Sequence, residues 1–373
     1  MIMPRKLLFC YSVILTLIAA LTQCLVASDS HPKNVILVIG DGMGYNQVLA
    51  GRIHRGDFRK PLCMETLPVS GNMSPFAIGD DFITDSAASA TAMATGCSTE
   101  NGRISTFPNG SDPVVLFEEL KQKGHTVGVL TNGSLNGATP AAFMAHAANR
   151  DDKADISRQI FAFKPDYFIG CSDDLFHPDL PEPITEASVS ASGWSVYIDQ
   201  PLSAVNFDKI PVCVGYNPTI LEEASMEEKK NVYAENAPTL LEGFKALIGP
   251  ISSYPDGFFL LVEEDWIDTW GHENEFELVS NSVSDLDDVV RPILDFAKQD
   301  GETLVIVTAD HECGGLTIPV LSEKGAEAHF STDEHTAAAV PLFAYGPGSQ
   351  RFAGTLTNTE IHEILLDLLE LNE

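Results

Sequence analysis

Asn34-Val-Ile-Leu-Val-Ile-Gly40 is an unbroken apolar run of strand length ending at glycine, and Asp41-Gly-Met-Gly44 follows it directly. A strand with one face in water alternates apolar and polar residues. A run without alternation has both faces covered, as in a parallel sheet between helical layers. Gly42 and Gly44 permit a tight turn at the strand's C-terminal end, the edge at which open α/β sheets bind ligands. Asp41 therefore stands where a functional carboxylate would lie, although a lone D-G-x-G also serves ordinary strand-to-helix turns.

Similar runs recur at His125–Leu130, Asp166–Ile169, Val212–Val214, Gly257–Val262, Leu304–Thr308 and Val340–Tyr345. Helical patterns separate several of them: Pro113–Lys123, Pro140–Asn149, Glu222–Leu247, Phe276–Gln299 and Thr359–Leu371. Strands alternating with helices predict an α/β fold, a doubly wound, mostly parallel central sheet with helices on both faces. Residues 29–373 read as a single domain. Residues 172–210, rich in Pro, Ser and Asp, read as an irregular surface insertion.

The first 28 residues have a different character. Arg5 and Lys6 precede an uncharged run from Leu7 to Leu21, and Val26-Ala27-Ser28 offers a small-residue cleavage site before Asp29. This pattern predicts a secretory signal peptide, and with it a periplasmic or extracellular protein. No later run is long and apolar enough to span a bilayer. Without the leader, 20 basic groups face 53 acidic ones, a net charge of −33. Such a field repels polyanions, so a nucleic-acid-binding surface is not expected, and an anionic substrate would need strong local positive charge, which bound metal ions supply most economically. The five remaining cysteines are widely spaced and form neither a disulfide framework nor a zinc-finger pattern.

Phe82-Ile-Thr-Asp-Ser-Ala-Ala-Ser-Ala-Thr-Ala-Met-Ala-Thr-Gly96 reads as a helix of very small side chains, able to lie close against neighbouring backbone. Ser86 falls on its first turn, where free N–H groups and the helix dipole favour an anion. Asp85 before it is a natural N-cap. Metal-competent residues gather after the later strands. Asp268 and His272, four apart, share one helix face; Asp310-His311 follows the strand ending at Thr308; His335 precedes the last core strand. Each group has an ordinary reading as a solvated loop or a packed histidine, but together with Asp41 they point to one metal site.

The motifs D-G-M-G at 41–44, T-D-S-A-A-S-A-T-A at 84–92, T-P-A-A-x-x-A-H-x-x-x-R at 139–150, E-x-x-x-x-D-x-x-x-H at 263–272, T-A-D-H at 308–311 and E-H-T at 334–336 occur in the order found in alkaline phosphatases. In these motifs the chain resembles that family, most of all its compact bacterial members. The resemblance implies a three-layer alkaline phosphatase-like sandwich and a phosphomonoesterase working through a phosphoserine on Ser86, with two Zn²⁺ and one Mg²⁺. It implies that Asp268, His272 and His335 hold the first zinc, and that Asp41, Asp310, His311 and the Ser86 oxygen hold the second. Asp41, Thr139 and Glu263 would hold Mg²⁺. Arg150 would clamp phosphate, oriented by Asp85, and one short helix, 140–150, would carry Arg150 at the end opposite Thr139. Small phosphomonoesters are the implied substrates and a homodimer the implied assembly. A phosphodiesterase of the same superfamily and a metal- or phosphate-binding protein without turnover are the alternatives; the sulfatase motif C/S-x-P-x-R is absent at Ser86.

Three positions depart from the family pattern. Gly137, two residues before Thr139, offers no side chain to the magnesium site. Glu264 stands where glycine is common, either as a solvated acid or in a role near the third ion. Thr269, followed by Trp270, occupies a place often taken by Lys, His or Trp near the phosphate. His146 reads as a packed histidine rather than a ligand.

Overall fold

The computed structural model describes residues 31–217, 237–322 and 325–371. The expected leader and most of the helix expected from Glu222 lie outside the described residues.

Strands β1 (Asn34–Gly40), β2 (Val69–Ser74), β3 (Thr126–Ser134), β4 (Tyr167–Cys171), β5 (Ser195–Ile198), β6 (Val212–Tyr216), β7 (Phe258–Glu264) and β8 (Thr303–Thr308) belong to one sheet. Two-residue and hairpin strands follow: β9 (Glu312–Cys313), β10 (Thr317–Ser322), β11 (Gly325–His329) and β12 (His335–Thr336). Strands β13 (Val340–Tyr345) and β14 (Gly354–Thr357) complete the ten-stranded sheet, ordered β14-β2-β13-β8-β1-β7-β3-β4-β6-β5. Only β13 runs against the others, pairing antiparallel with β2 and β8.

The strand that opened the sequence lies near the middle. Every residue of β1, β7 and β8 is buried, as unalternating apolar runs require. The register puts Gly40 opposite Glu264, and Ile39 opposite both Glu263 and Thr308. Three adjacent strands thus end level with one another, and Asp41, Glu263, Asp310 and His311 leave the sheet at one edge.

Ten helices are described: α1 (Tyr45–His54), α2 (Ser86–Thr95), α3 (Leu116–Gln122), α4 (Ala138–Ala142), α5 (Lys153–Phe163), α6 (Glu186–Ala191), α7 (Leu240–Ile251), α8 (Trp266–His272), α9 (Phe276–Asp300) and α10 (Asn358–Leu368). They cover both faces of the sheet. Neighbouring residues of β7 show this: the Phe258 ring packs 6.2 Å from Phe296 of α9, while Phe259 packs 5.5 Å from Phe117 of α3.

All ten residues of α2 are buried, which only a helix of Ala, Ser and Thr with neighbours on every side tolerates. It lies among α3, α4 and α10. Asp85 caps its start by accepting from the Ala88 amide at 2.8 Å, and Gly96 ends it in the left-handed region at φ 69°. A Cβ on Gly96 would also meet the His362 ring at 2.8 Å.

Two expectations need correction. The helix expected over Pro140–Asn149 ends at Ala142. Beyond it the backbone of Ala147 bridges to Ile104, and the Arg150 amide donates to Gly102 at 2.7 Å. Tertiary pairing overrides the alanine-rich propensity there, so Thr139 and Arg150 do not share one helix. Residues 172–210 are also more than a surface excursion, since they contain α6 and contribute β5, the edge strand of the main sheet, paired parallel with β6.

Candidate metal centre and nucleophile

At the C-terminal edge of β1, Asp41 is 3% exposed, its amide held by the Glu264 carbonyl at 2.9 Å. Asp310 follows β8 and turns back on the backbone: its Oδ1 accepts from the amides of His311 (2.9 Å) and Gly42 (3.2 Å). This leaves Oδ2 facing His311 Nε2 at 3.2 Å, with Asp41 Oδ1 at 3.4 Å from the same nitrogen. The Ser86 hydroxyl on the first turn of α2 completes the group, with Oγ 3.2 Å from His311 Nε2.

A second group adjoins it. Asp268 and His272 stand one turn apart on α8, with Asp268 Oδ2 3.2 Å from His272 Nε2. His335 Nε2 lies 3.4 Å from Asp268 Oδ1 and 3.2 Å from His272 Nε2, and its ring stacks on His311 with centroids 3.6 Å apart. The contacts made by the other ring nitrogens fix what these Nε2 atoms can be. His272 Nδ1 contacts the Asp333 carbonyl at 2.5 Å and His335 Nδ1 the Thr84 carbonyl at 2.9 Å. Carbonyls only accept, so both Nδ1 atoms carry the protons, and in the neutral rings both Nε2 lone pairs converge on Asp268. Lone pairs and carboxylate oxygens meeting without a donor are the chemistry of a cation site, with backbone carbonyls orienting the imidazoles.

Glu263, at the end of β7, accepts from the Thr131 hydroxyl at 2.6 Å. Oxygens of Asp41, Glu263 and Asp265 lie within 4.8 Å of one another. Thr139, in the first turn of α4, is 1% exposed. Its Oγ1, together with Asp41 Oδ1, Asp268 Oδ1, Asp310 Oδ2 and His311 Nδ1, is buried without a hydrogen-bond partner.

The electrostatics tell the same story. Burial, then the charges of Asp310 and Asp268, push Asp41 well above the usual carboxylate range. Burial and Asp265 raise Glu263 to about 8, and burial and Asp268 raise Asp310 to about 7. Asp268 alone is held low: burial opposes its charge, but in the metal-free protein His272, raised to about 9 by its contact with Asp268, and His335, also raised, carry Nε2 protons toward it and outweigh burial; a cation would take the place of those protons. Burial, then the neighbouring His335, depresses His311. Buried like charges this close need cations between them, and the orphaned oxygens and nitrogens fit that requirement.

Arg150 stands beside the serine, its Nη1 3.1 Å from Asp85 Oδ2. Asp85 therefore fills both expected roles at once, helix cap and arginine partner. The neighbouring His146 ties its ring to the Ser105 carbonyl at 2.6 Å, consistent with a packed histidine.

The remaining departures have definite places. Glu264 is no solvated acid: it is 1% exposed, accepts from Asn132 at 2.7 Å and from the Ile267 amide at 3.0 Å, and is raised to about 8 by burial. It thereby caps the first turn of α8, the helix that carries Asp268 and His272. Trp270 is buried against Trp266. Two residues at the centre carry no signal of their own in the sequence: Asp265, third of three successive acids, and Cys313, whose sulfur can join Asp268, His272 and His335 in one ligand group. The described cysteines are all unpaired.

Fold and cluster together define an α/β protein with metal-competent ligand groups gathered at the C-terminal edge of its sheet. The chain belongs to the alkaline phosphatase family, whose sequence model, described as alkaline phosphatase, matches residues 32–170 and 219–329. Alkaline phosphatase 4 of Bacillus subtilis is 27% identical over 91% of this chain and 89% of its own length. The Escherichia coli alkaline phosphatase is 29% identical over 90% of this chain and 85% of its own. The solved alkaline phosphatase of the Antarctic bacterium TAB5 superposes with a TM-score of 0.79 at 27% identity, covering 92% of this chain and 100% of that one. A variant of the TAB5 enzyme has Mg bound in its M3 site.

Proposed function

We propose that this alkaline phosphatase hydrolyses small phosphate monoesters through a phosphoserine on Ser86, after export to the periplasm or the medium. The observation that carries the reading is Ser86 Oγ, buried on a helix N-terminus and 3.2 Å from His311 Nε2, with Arg150 held beside it by Asp85. Asp268, His272 and His335 would hold one zinc, and Asp41, Asp310 and His311, beside Ser86, the second. Asp41, Thr139 and Glu263 would hold magnesium, the ion found at the third site of the TAB5 variant. Bound there, the metals supply positive charge to the entering and leaving oxygens and lower the pKa of a coordinated hydroxyl.

The chain's own groups do the positioning. Ser86 Oγ forms a bond to phosphorus as the bond to the leaving alcohol oxygen breaks. Water then displaces Ser86, releasing inorganic phosphate and restoring the hydroxyl. The planar Arg150 guanidinium can donate two parallel hydrogen bonds to non-bridging oxygens, which a lysine cannot reproduce. The first amides of α2, at Ser86 and Ala87, precede the one capped by Asp85 and can donate to the same anion.

The test is a zinc- and magnesium-loaded sample assayed on monoesters and diesters, with acid-quenched enzyme analysed for phosphate on Ser86. Monoester turnover with phosphate trapped on Ser86 is expected. Fast diester but negligible monoester hydrolysis would make it a phosphodiesterase, and two bound zincs without turnover would make it a binding protein. Export is checked by N-terminal sequencing of the released protein, which should begin at Asp29.

A further inference from the structure

We propose that Asp265 is a ligand of the third ion, directly or through one water, so that this site takes a third carboxylate besides Asp41 and Glu263. The inference rests on the third-ion reading above and adds a residue to it. Its oxygen lies within 4.8 Å of ligand oxygens of both Asp41 and Glu263, and among the residues proposed for this ion Asp41 Oδ1 and Thr139 Oγ1 are buried without a hydrogen-bond partner. A small hard cation wants about six oxygens in octahedral array, several of them water, and each water needs a protein acceptor.

The backbone explains why the acceptor comes from Asp265. Gly137, next to the start of α4, has no side chain, and a Cβ there would meet the Ser134 carbonyl oxygen at 2.8 Å. That loop cannot supply a ligand without moving. On the neighbouring strand, a Cβ on Gly133 would lie 2.5 Å from Asp265 Cβ and 2.6 Å from its Cγ. The absent side chain at Gly133 is the space in which the Asp265 carboxylate sits. Asn132 holds the Asp265 amide at 2.9 Å and, through its other side-chain atom, Glu264 at 2.7 Å. Asn132 therefore braces the turn that carries Asp265.

The rival role for Asp265 is to pair with Arg150 and Lys153, whose charges it also feels. Zinc-loaded wild type, Asp265→Asn and Gly133→Ala would be titrated with magnesium chloride by calorimetry, and bound zinc and magnesium counted by elemental analysis after dialysis. Asp265→Asn should weaken magnesium at least tenfold while zinc content stays unchanged. Gly133→Ala, which keeps the charge but displaces the carboxylate, should act in the same direction. Unchanged magnesium affinity in both variants, with or without a rise in KM, would overturn the assignment and leave the third ion on Asp41, Thr139 and Glu263. Absence of magnesium binding by the wild type itself would overturn the third-ion reading along with it.

Discussion

Asp85 divides its work between two oxygens. Oδ1 caps α2 through the Ala88 amide, while Oδ2 accepts from Arg150 and the Gly102 amide. Asparagine caps a helix as well as aspartate does but cannot balance a guanidinium. Asp85→Asn keeps the cap at Oδ1 but turns an NH2 toward the Gly102 amide, so it should lower thermal stability by about 1 kcal/mol for that lost acceptor. It should raise KM for a monoester about tenfold or more, the worth of a charge-assisted hydrogen bond. Asp85→Ala should add a loss of about 1 kcal/mol of stability for the cap. Equal melting losses in both variants would mean that the ion pair, not the cap, holds the helix end. Arg150→Ala should lower kcat/KM by roughly a hundredfold or more, two such bonds being lost, with zinc content unchanged by elemental analysis. Lost zinc would show that the residue had been misplaced.

The helix α2 owes its position to small side chains. Ala90 is fully buried, so Ala90→Leu should cost about 1–3 kcal/mol by overpacking, read as a lower melting temperature. Its C-terminal neighbour His362 adds a pH dependence. The imidazole is 4% exposed, its Nδ1 has no partner, and burial lowers its pKa to about 4. The unfolded chain takes up the proton near pH 6.5 and the native one only near 4, so the unfolded state binds more protons between those values. Stability is then full above about pH 6.5 and falls as pH drops toward 4, by an amount on the order of 2–3 kcal/mol. His362→Gln should flatten that slope in denaturation measured from pH 7 to 4; an unchanged slope would place the acid sensitivity elsewhere.

The elements differ in how plainly the sequence announces them, and the reasons are physical. β1, β7 and β8 are buried on both faces, so their apolar runs stand out. Strand β2 has Gly71 at its centre and mixed burial, and the hairpin of β10 and β11 is mostly exposed; neither carries a clear period. Spacing put Asp268 with His272 and Asp310 with His311, because a single turn brings each pair together. The proximity of Asp265 to Asp41 depends on the register of β1 against β7 and on the missing side chain of Gly133. The choice between the two readings of Glu264 is likewise settled only by strand pairing, which buries it and brings it to Asn132 on β3.

At the scale of the whole molecule, the chain concentrates buried carboxylates in one place while carrying a formal charge of −31. Ions bound only by the native state add stability by mass action and relieve the mutual repulsion of these groups. Exhaustive chelation should abolish turnover and lower the melting temperature by several degrees or more; unchanged activity would contradict the scheme. Added salt should raise the stability of the metal-free protein more than that of the loaded one, because screening acts on repulsion the metals already cancel.

The placement of β1 bears on how such a chain is made. Its two sheet neighbours are β7 and β8, so Val35 meets Phe259 on one side and Leu304 on the other. The first strand to be synthesised has no partner until the last third of the chain exists. Contacts this distant in sequence form slowly, and until they do, an apolar run lies open to solvent and to other chains. A ribosome-bound chain ending before Phe258 should remain sensitive to protease at β1, becoming resistant once Thr308 has emerged. Such a delay would suit the export proposed above: a middle strand of the sheet is laid down first and stays open until β7 and β8 have been made.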